Sequence, residues 1–393
     1  MDIRKNSLSI LESFFVYVLV FIHEVMNFLY RLLLKQKSEK YDLLLIRTDG
    51  VGDYIIWLDS LRVYKDVYKG KKVMLICSKQ VLNLAELDPF FTKVISINRS
   101  NFLKIIYRYR ITKIIRNYYF NHAISPIFTR GYVSDSLMSI VRSDQKIGFN
   151  GDSSNMFYWQ KCYMNLFYTK LIDSPKNNQM EIYTNAFFVQ MLFSIKHNIQ
   201  LPILPKLPEC DFYFDKDYVV FFLSATDPLR VWNIDKFVDV AKSLAYKYKI
   251  VLLGNGSFDH ELSCVFLKLY NDDSNVINFV NKTSLIETAQ IVTNASFVIG
   301  NDSGGIHLAV SLKKPSLAIV SGAHLGRFFP YPKQFSTLSY FPHIVYHNMD
   351  CFGCDYKCIR VVDTNYECIG KINADKVKNE LYLLLMALNN SLE

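Results

Sequence analysis

The sequence predicts an α/β protein made of two parallel-sheet domains. Three observations carry that prediction. Strand and helix patterns alternate in two separate runs, a proline-marked break divides the runs, and each run holds a glycine turn between a strand and a helix. Half of the 393 residues are apolar and 15% are aromatic, which supplies two cores and argues against general disorder. The formal charge of +9 favours anionic partners, such as nucleic acid, acidic lipid or phosphorylated sugar, without choosing among them. Four scattered cysteines, Cys77, Cys162, Cys210 and Cys264, read as reduced thiols of a cytosolic protein.

The elements follow in order. Residues 8–34 are strongly apolar, with Glu24, Asn27, Arg31 and Lys35 on one helical stripe and Phe15, Val18, Leu19, Ile22, Val25, Met26, Leu29 and Leu33 opposite. No small-residue cleavage site follows, and the uninterrupted apolar core at 14–22 is shorter than the roughly 20 residues that a bilayer span needs. The expectation is a helix lying in a membrane interface, with a helix packed on the first domain or on a second subunit, or a spanning anchor, as alternatives. Strands are then read at 43–47, 72–78, 93–99 and 122–127, with helices at 53–68, 80–88 and 101–120. The last helix is basic, with Lys104, Arg108, Arg110, Lys113 and Arg116 among aromatics and no acid. No nucleic-acid motif accompanies it, so a solvated face or contact with an anionic lipid is expected, and no nucleic-acid partner.

After the prolines of 201–210, strands are read at 218–224, 249–254, 275–281, 296–300 and 316–322. Helices are read at 233–248, 259–270, 284–295 and 304–314, with an amphipathic helix at 373–390. The boundaries expected are an apolar helical extension at 1–40, a first domain at 41–205 and a second at 206–370. The second holds a cysteine-rich loop at 351–368, and a terminal helix fills 371–393.

Two turns are candidate sites. In "LLLIRTDGVGDYI", Gly50 and Gly52 begin a dinucleotide fingerprint, but Ile55 replaces its third glycine and Asp53 sets a carboxylate where the helix starts. In "SFVIGNDSGGIHL", Ser303, Gly304 and Gly305 let a ligand approach the N–H groups of the next helix, whose dipole favours an anion. His307 lies one turn further on, and Asp302 suits sugar hydroxyls. The plain alternative in both places is a helix start with an aspartate and tight-turn glycines. Arg130 follows the 122–127 strand, in position to meet an acidic group of a substrate. Asp215, Lys216 and Asp217 form an acidic triplet of a kind that sometimes binds metal and is common by chance. Cys351, Cys354, Cys358 and Cys368, spaced C-x2-C-x3-C-x9-C, suit a four-thiolate zinc site, disulfides or free thiols.

The two turns also carry a resemblance. "NDSGGIHLAVSLKKP" resembles the "NDTGPMHLAAALGKP" signature of the family 9 glycosyltransferases, the bacterial lipopolysaccharide heptosyltransferases, and "LLLIRTDGVGDYIIWLDSLRVYK" resembles that family's opening strand, turn and helix. "DQKIGFNGD" resembles its "RIGF" segment, and "KIVLLGNGSFDHELS" its "VLLGGPGEEE" nucleotide segment. The resemblance covers about residues 41–390. It implies a GT-B fold, in which two Rossmann-like domains face a central cleft, with the acceptor on the first and the nucleotide-sugar on the second.

Carried over by position, Asp53 matches the catalytic base, with Gly50 and Gly52 beside it on the acceptor side. Asp302, Ser303, Gly304 and His307 match donor sugar and diphosphate contacts, while Gly254 and Glu261 fall in the nucleotide segment. Arg230 stands where the family has a lysine shortly before a tryptophan (here Trp232), a cation for the departing diphosphate, and Gly305 stands where it has proline.

The implied activity is inverting, metal-independent transfer from a nucleotide-diphosphate sugar, ADP-heptose by default, to a lipid-linked lipopolysaccharide-core-type acceptor. No cofactor is expected for catalysis, and the implied place is the cytoplasmic surface of the inner membrane of a Gram-negative-type bacterium. The alternatives are a nucleotide-sugar epimerase of the same fold and a non-catalytic, membrane-associated relative.

Overall fold

The structure, a computed structural model, describes residues 18, 21, 22, 24–29, 38–175, 179–209, 212, 214–271, 273–354, 358, 360–362 and 365–390. Cys210 and most of the N-terminal segment, including Arg31 and Lys35 of its polar stripe, lie outside the described residues. The chain divides into two compact units, one of Met1–Tyr54, Asp59–Asn177 and Ile182–Ile199, the other of Ile55–Leu58, Asn178–Glu181 and Gln200–Glu393.

Unit one is built on six parallel strands. In chain order its elements are β1 (Glu39–Arg47), α1 (Val51–Val67), β2 (Val73–Ser78), α2 (Leu82–Glu86), β3 (Lys93–Ile97), α3 (Ile105–Ile115), β4 (Tyr118–Ser125), α4 (Tyr132–Ile140), β5 (Ser143–Phe149), α5 (Tyr158–Asn165) and β6 (Lys170–Ile172), followed by α6 (Glu181–Phe193). The sheet order is β3-β2-β1-β4-β5-β6. Leu43 to Ile46 of β1 are all fully buried, as expected of a strand covered by helices on both faces.

Unit two repeats the plan. Its elements are β7 (Tyr218–Phe222), α7 (Ile234–Leu244), β8 (Lys249–Leu253), α8 (Ser257–Tyr270), β9 (Val276–Asn278), α9 (Leu285–Asn294), β10 (Phe297–Asn301), α10 (Gly304–Ser311), β11 (Ser316–Ile319), β12 (His343–Val345), α11 (Glu367–Gly370) and α12 (Ala374–Asn390). The order β9-β8-β7-β10-β11-β12 is the same as in unit one. Its core gathers Phe221, Trp232, Phe237, Leu252, Phe266 and Ile299 around one sheet face.

In each sheet the order reverses between the first strand and the fourth. Those are β1 and β4 in unit one, and β7 and β10 in unit two. Loops leave the carboxyl ends of those strands in opposite directions, and the crevice they leave is where open parallel sheets bind ligands.

One expectation, the basic helix, is corrected. The helix read over 101–120 ends at Ile115, because Tyr118 to Phe120 join the sheet and pair with Glu39 to Tyr41 of β1. Aromatic residues fit a pleated, half-buried surface, and the neighbouring strand offers one. Of the five cations assigned to that helix, Arg108 and Arg116 are buried. At the amino terminus, residues 18, 21, 22 and 24–29 are helical, and no described helix is long and apolar enough to cross a membrane.

Candidate functional site

At the switch point of unit one, β1 delivers a fully buried Arg47. Its guanidinium donates to the carbonyl of Pro126 just past β4 at 2.8 Å, to Asn185 Oδ1 on α6 at 3.3 Å and to the carbonyl of Asp53 at 3.0 Å. Its Nε lies 3.1 Å from the Asp49 carboxylate. One side chain therefore ties the end of β1, the glycine turn and the loop after β4 together. Asp53 is half-buried in the first turn of α1, and its Oδ2 accepts the N–H of Gly50 at 3.2 Å. The carboxylate thus caps its own turn, where the helix dipole favours a negative charge. Ile55, in the place of the absent third glycine, is fully buried.

Arg130 turns inward. Its guanidinium reaches both oxygens of Asp135 at 2.8 to 3.3 Å and also donates to Asn165 Oδ1 at 2.6 Å. It stacks over the Tyr168 ring at 4.8 Å, and Tyr168 donates to Asp135 at 2.7 Å. Burial raises the carboxyl pKa of Asp135, against the lowering effect of Arg130. The acidic group that Arg130 meets is this internal one.

At the switch point of unit two, the loop after β7 and the end of β10 interlock. Asn301 closes β10 by donating to the carbonyl of Leu223 at 2.6 Å and accepting the N–H of Trp232 at 2.9 Å. That grip fixes the loop bearing Arg230, whose guanidinium donates to the Asp302 carboxylate at 2.9 Å and to the Asp302 carbonyl at 3.0 Å. Both side chains are largely buried. Asp302 therefore holds the cation first, and the pair sits next to Ser303, the N-cap of α10, whose side chain makes no capping bond. Gly304 and Gly305 open the helix there, half-buried.

His307 is buried one turn later, its Nδ1 2.9 Å from the Tyr331 hydroxyl and its ring stacked on Phe329 at 4.8 Å. Burial pushes the Tyr331 hydroxyl well above its usual pKa, so it stays a neutral hydrogen-bond partner. Gly254 directly follows β8, and an added Cβ there would run into the Asp259 carboxylate. Burial raises the carboxyl pKa of Asp259, which accepts a 2.6 Å bond from Ser224. Glu261, on α8, is exposed. Sequence reasoning missed Arg47, Asn301 and Asp259. An arginine at the end of a buried strand and the first residue of "NDSGG" were the available signals.

Asp215 of the acidic triplet pairs with Lys249 at 2.9 Å, and that contact lowers its carboxyl pKa. Cys351, Cys354, Cys358 and Cys368 line one pocket with Arg360 and Glu367. Burial raises the Cys368 thiol pKa, and its three thiol neighbours add to that. Among the described residues no group of three or more His, Cys, Asp or Glu is arranged to hold a metal ion.

A family model for glycosyltransferase family 9 (heptosyltransferase) matches residues 108–343. Lipooligosaccharide heptosyltransferase 2 of Campylobacter jejuni is 24% identical over 151 residues, 38% of this chain and 45% of its own length. The match thus spans less than half of that curated relative. Among solved structures, a family 9 glycosyltransferase from Veillonella parvula superposes with a TM-score of 0.68 at 15% identity, covering 89% of this chain and 99% of the other. The ADP-heptose lipopolysaccharide heptosyltransferase II of E. coli does so with a TM-score of 0.62 at 16% identity, covering 88% and 99%.

Proposed function

Since the chain belongs to glycosyltransferase family 9, whose model matches more than half of it, we propose that it transfers a heptose from a nucleotide-diphosphate sugar to a lipid-linked acceptor of the lipopolysaccharide core. The observation that carries this reading is the placement of Arg230 beside the N-terminus of α10 at the switch point of unit two. A fixed cation next to free-ended helix N–H groups is what a departing diphosphate needs. In the reaction the bond from the anomeric carbon to the diphosphate oxygen breaks, and the oxygen keeps the electron pair. The acceptor hydroxyl oxygen bonds to the opposite face of that carbon, which inverts it, and the hydroxyl proton passes to Asp53.

Each residue has a matching part. Arg230 and the N–H groups at Ser303 to Gly305 meet the leaving charge, Asp302 holds Arg230 in place, and Glu261 lies on the ribose side. Arg47 acts through Asp53 by fixing its turn. The charge compensation comes from protein groups, so transfer is expected to persist in excess chelator. ADP-heptose is the first donor to offer, since the E. coli relative's own name carries it.

The experiment is transfer from ADP-heptose to a purified lipopolysaccharide acceptor lacking core heptose, with the anomeric configuration of the product read by NMR. Asp53→Asn should lower turnover by about a hundredfold or more, the usual worth of a positioned general base. Near-normal turnover in that variant would remove Asp53 from the mechanism. Sugar conversion without any acceptor would replace transfer by epimerisation.

A further inference from the structure

The helix through residues 24–29 is packed the wrong way round for a soluble protein. Its polar stripe faces inward, where Glu24 and Asn27 are buried, with Asn27 donating to Ser139 Oγ of α4 at 3.3 Å and Glu24 lying 3.5 Å from the Arg108 guanidinium of α3. Its apolar side faces out. Val18, Phe21, Ile22, Val25, Phe28 and Leu29 are 38 to 70% exposed. At about 100° per residue these six fall within one third of the helix circumference. Arg108 also donates to the Tyr132 hydroxyl at 2.9 Å and to Ser136 Oγ, so the inward polar contacts are built and specific.

The helix is joined through Arg108 to α3, whose outer face has the complementary chemistry. Ile105, Ile106, Tyr109 and Ile114 are exposed there, interleaved with exposed Lys104, Arg110 and Lys113. From residue 89 to residue 134 the chain holds eight basic side chains and no acidic one.

We propose that these two neighbouring helix faces form a docking surface for an anionic lipid bilayer. Apolar side chains enter the acyl boundary while the lysines and arginine meet lipid phosphates. The occupant follows from the two chemistries together. A nucleic acid would match the cations but leave six apolar side chains in water. A second copy of this chain would match the apolar arc but bring the same positive charge against it. The surface lies outside the transfer chemistry and does not require it.

The test is co-sedimentation of the full chain with vesicles of phosphatidylethanolamine and phosphatidylglycerol, and separately with phosphatidylcholine alone. The chain should pellet with the anionic vesicles and release as salt is raised. Phe21→Ser/Val25→Ser/Phe28→Ser should weaken that binding by about a hundredfold, and Lys104→Gln/Arg110→Gln/Lys113→Gln by about as much, with loss of the salt dependence. All six positions are exposed, so both variants should melt like the parent and keep turnover on a delipidated, soluble acceptor. A chain that stays in the supernatant with both vesicle types overturns the proposal, as does unchanged binding in the apolar variant. So does a dimer in sedimentation velocity that the apolar variant splits, since a second copy would then own the face. Vesicle binding without transferase activity would uphold the surface and remove the proposed reaction, so the two failures are separable.

Discussion

Gly305 lies against Phe222, whose ring occupies the place a Cβ would take. The glycine, where the resembled signature has proline, is thus a packing consequence of an aromatic residue at the end of β7. Gly305→Ala is expected to cost about 1–3 kcal/mol, the range for overpacking a filled site, read as a lower urea midpoint at unchanged slope. Pairing it with Phe222→Leu should recover most of that loss, and no recovery would place the strain elsewhere. Arg130 answers to the same local accounting. Arg130→Met leaves the buried Asp135 carboxylate without its cation, and removing one partner of a buried pair costs about 3–5 kcal/mol. The pH dependence has a definite sign. Burial already raises the Asp135 carboxyl pKa in the folded chain, and loss of Arg130 raises it further. A folded pKa above the unfolded value favours folding at low pH, and that advantage is lost as pH rises through the folded pKa. The deficit of Arg130→Met relative to the parent should therefore be full above the folded pKa of the variant and narrow as pH falls from there to the lower folded pKa of the parent, which itself lies above the ordinary carboxyl value. A deficit that stays constant across that window would show that Asp135 is not the group left exposed to the change.

An element acts here through the loop it holds. β10 ends in Asn301, whose amide bonds both Leu223 and Trp232 and so sets the loop that carries Arg230. Asn301→Ala leaves a buried carbonyl and a buried N–H without partners, at about 1–3 kcal/mol each. The expected kinetic result is a fall in kcat together with a rise in KM for the donor, because the displaced Arg230 both holds the diphosphate and meets its leaving charge while Asp53 is untouched. A rise in KM with kcat unchanged would mean that the loop only binds. The alternation of β7 to β11 with α7 to α10 was legible in the sequence because buried parallel strands are short apolar runs, and α7 alternates polar and apolar residues at helical spacing. The stretch from 118 to 172 was less so. There β4 starts immediately after α3, and β5 and β6 are polar enough at their ends to hide their period. The site divided in the same way. Glycines and the aspartate of a turn announce themselves locally. Asn301 and Arg47 act on residues tens of positions away, and Arg130 found a partner five residues on that spacing alone does not reveal.

The whole chain carries one sheet order twice, and each copy places its own switch point and its own chemistry. Unit one holds Asp53 and Arg47, and unit two holds Arg230, Asp302 and the α10 turn. If the donor belongs to unit two, its binding and its turnover separate by mutation. A ligand that binds only the folded chain stabilises it by RT ln(1 + [L]/Kd), about 2.7 kcal/mol at a hundred times Kd. ADP at that excess should raise the melting temperature of the parent. Asp53→Asn should show the same rise, since the base touches the acceptor proton and not the nucleotide, yet its turnover should fall by about a hundredfold or more. Arg230→Met should lose most of the rise together with turnover, because the cation beside the α10 turn is gone. Arg230→Lys should recover part of both, keeping the charge while losing the planar guanidinium whose Nη2 donates to both the carboxylate and the carbonyl of Asp302. The assignment fails if Asp53→Asn abolishes the ADP-dependent rise while Arg230→Met keeps it, for the diphosphate would then lie at the first glycine turn and the two units would exchange roles.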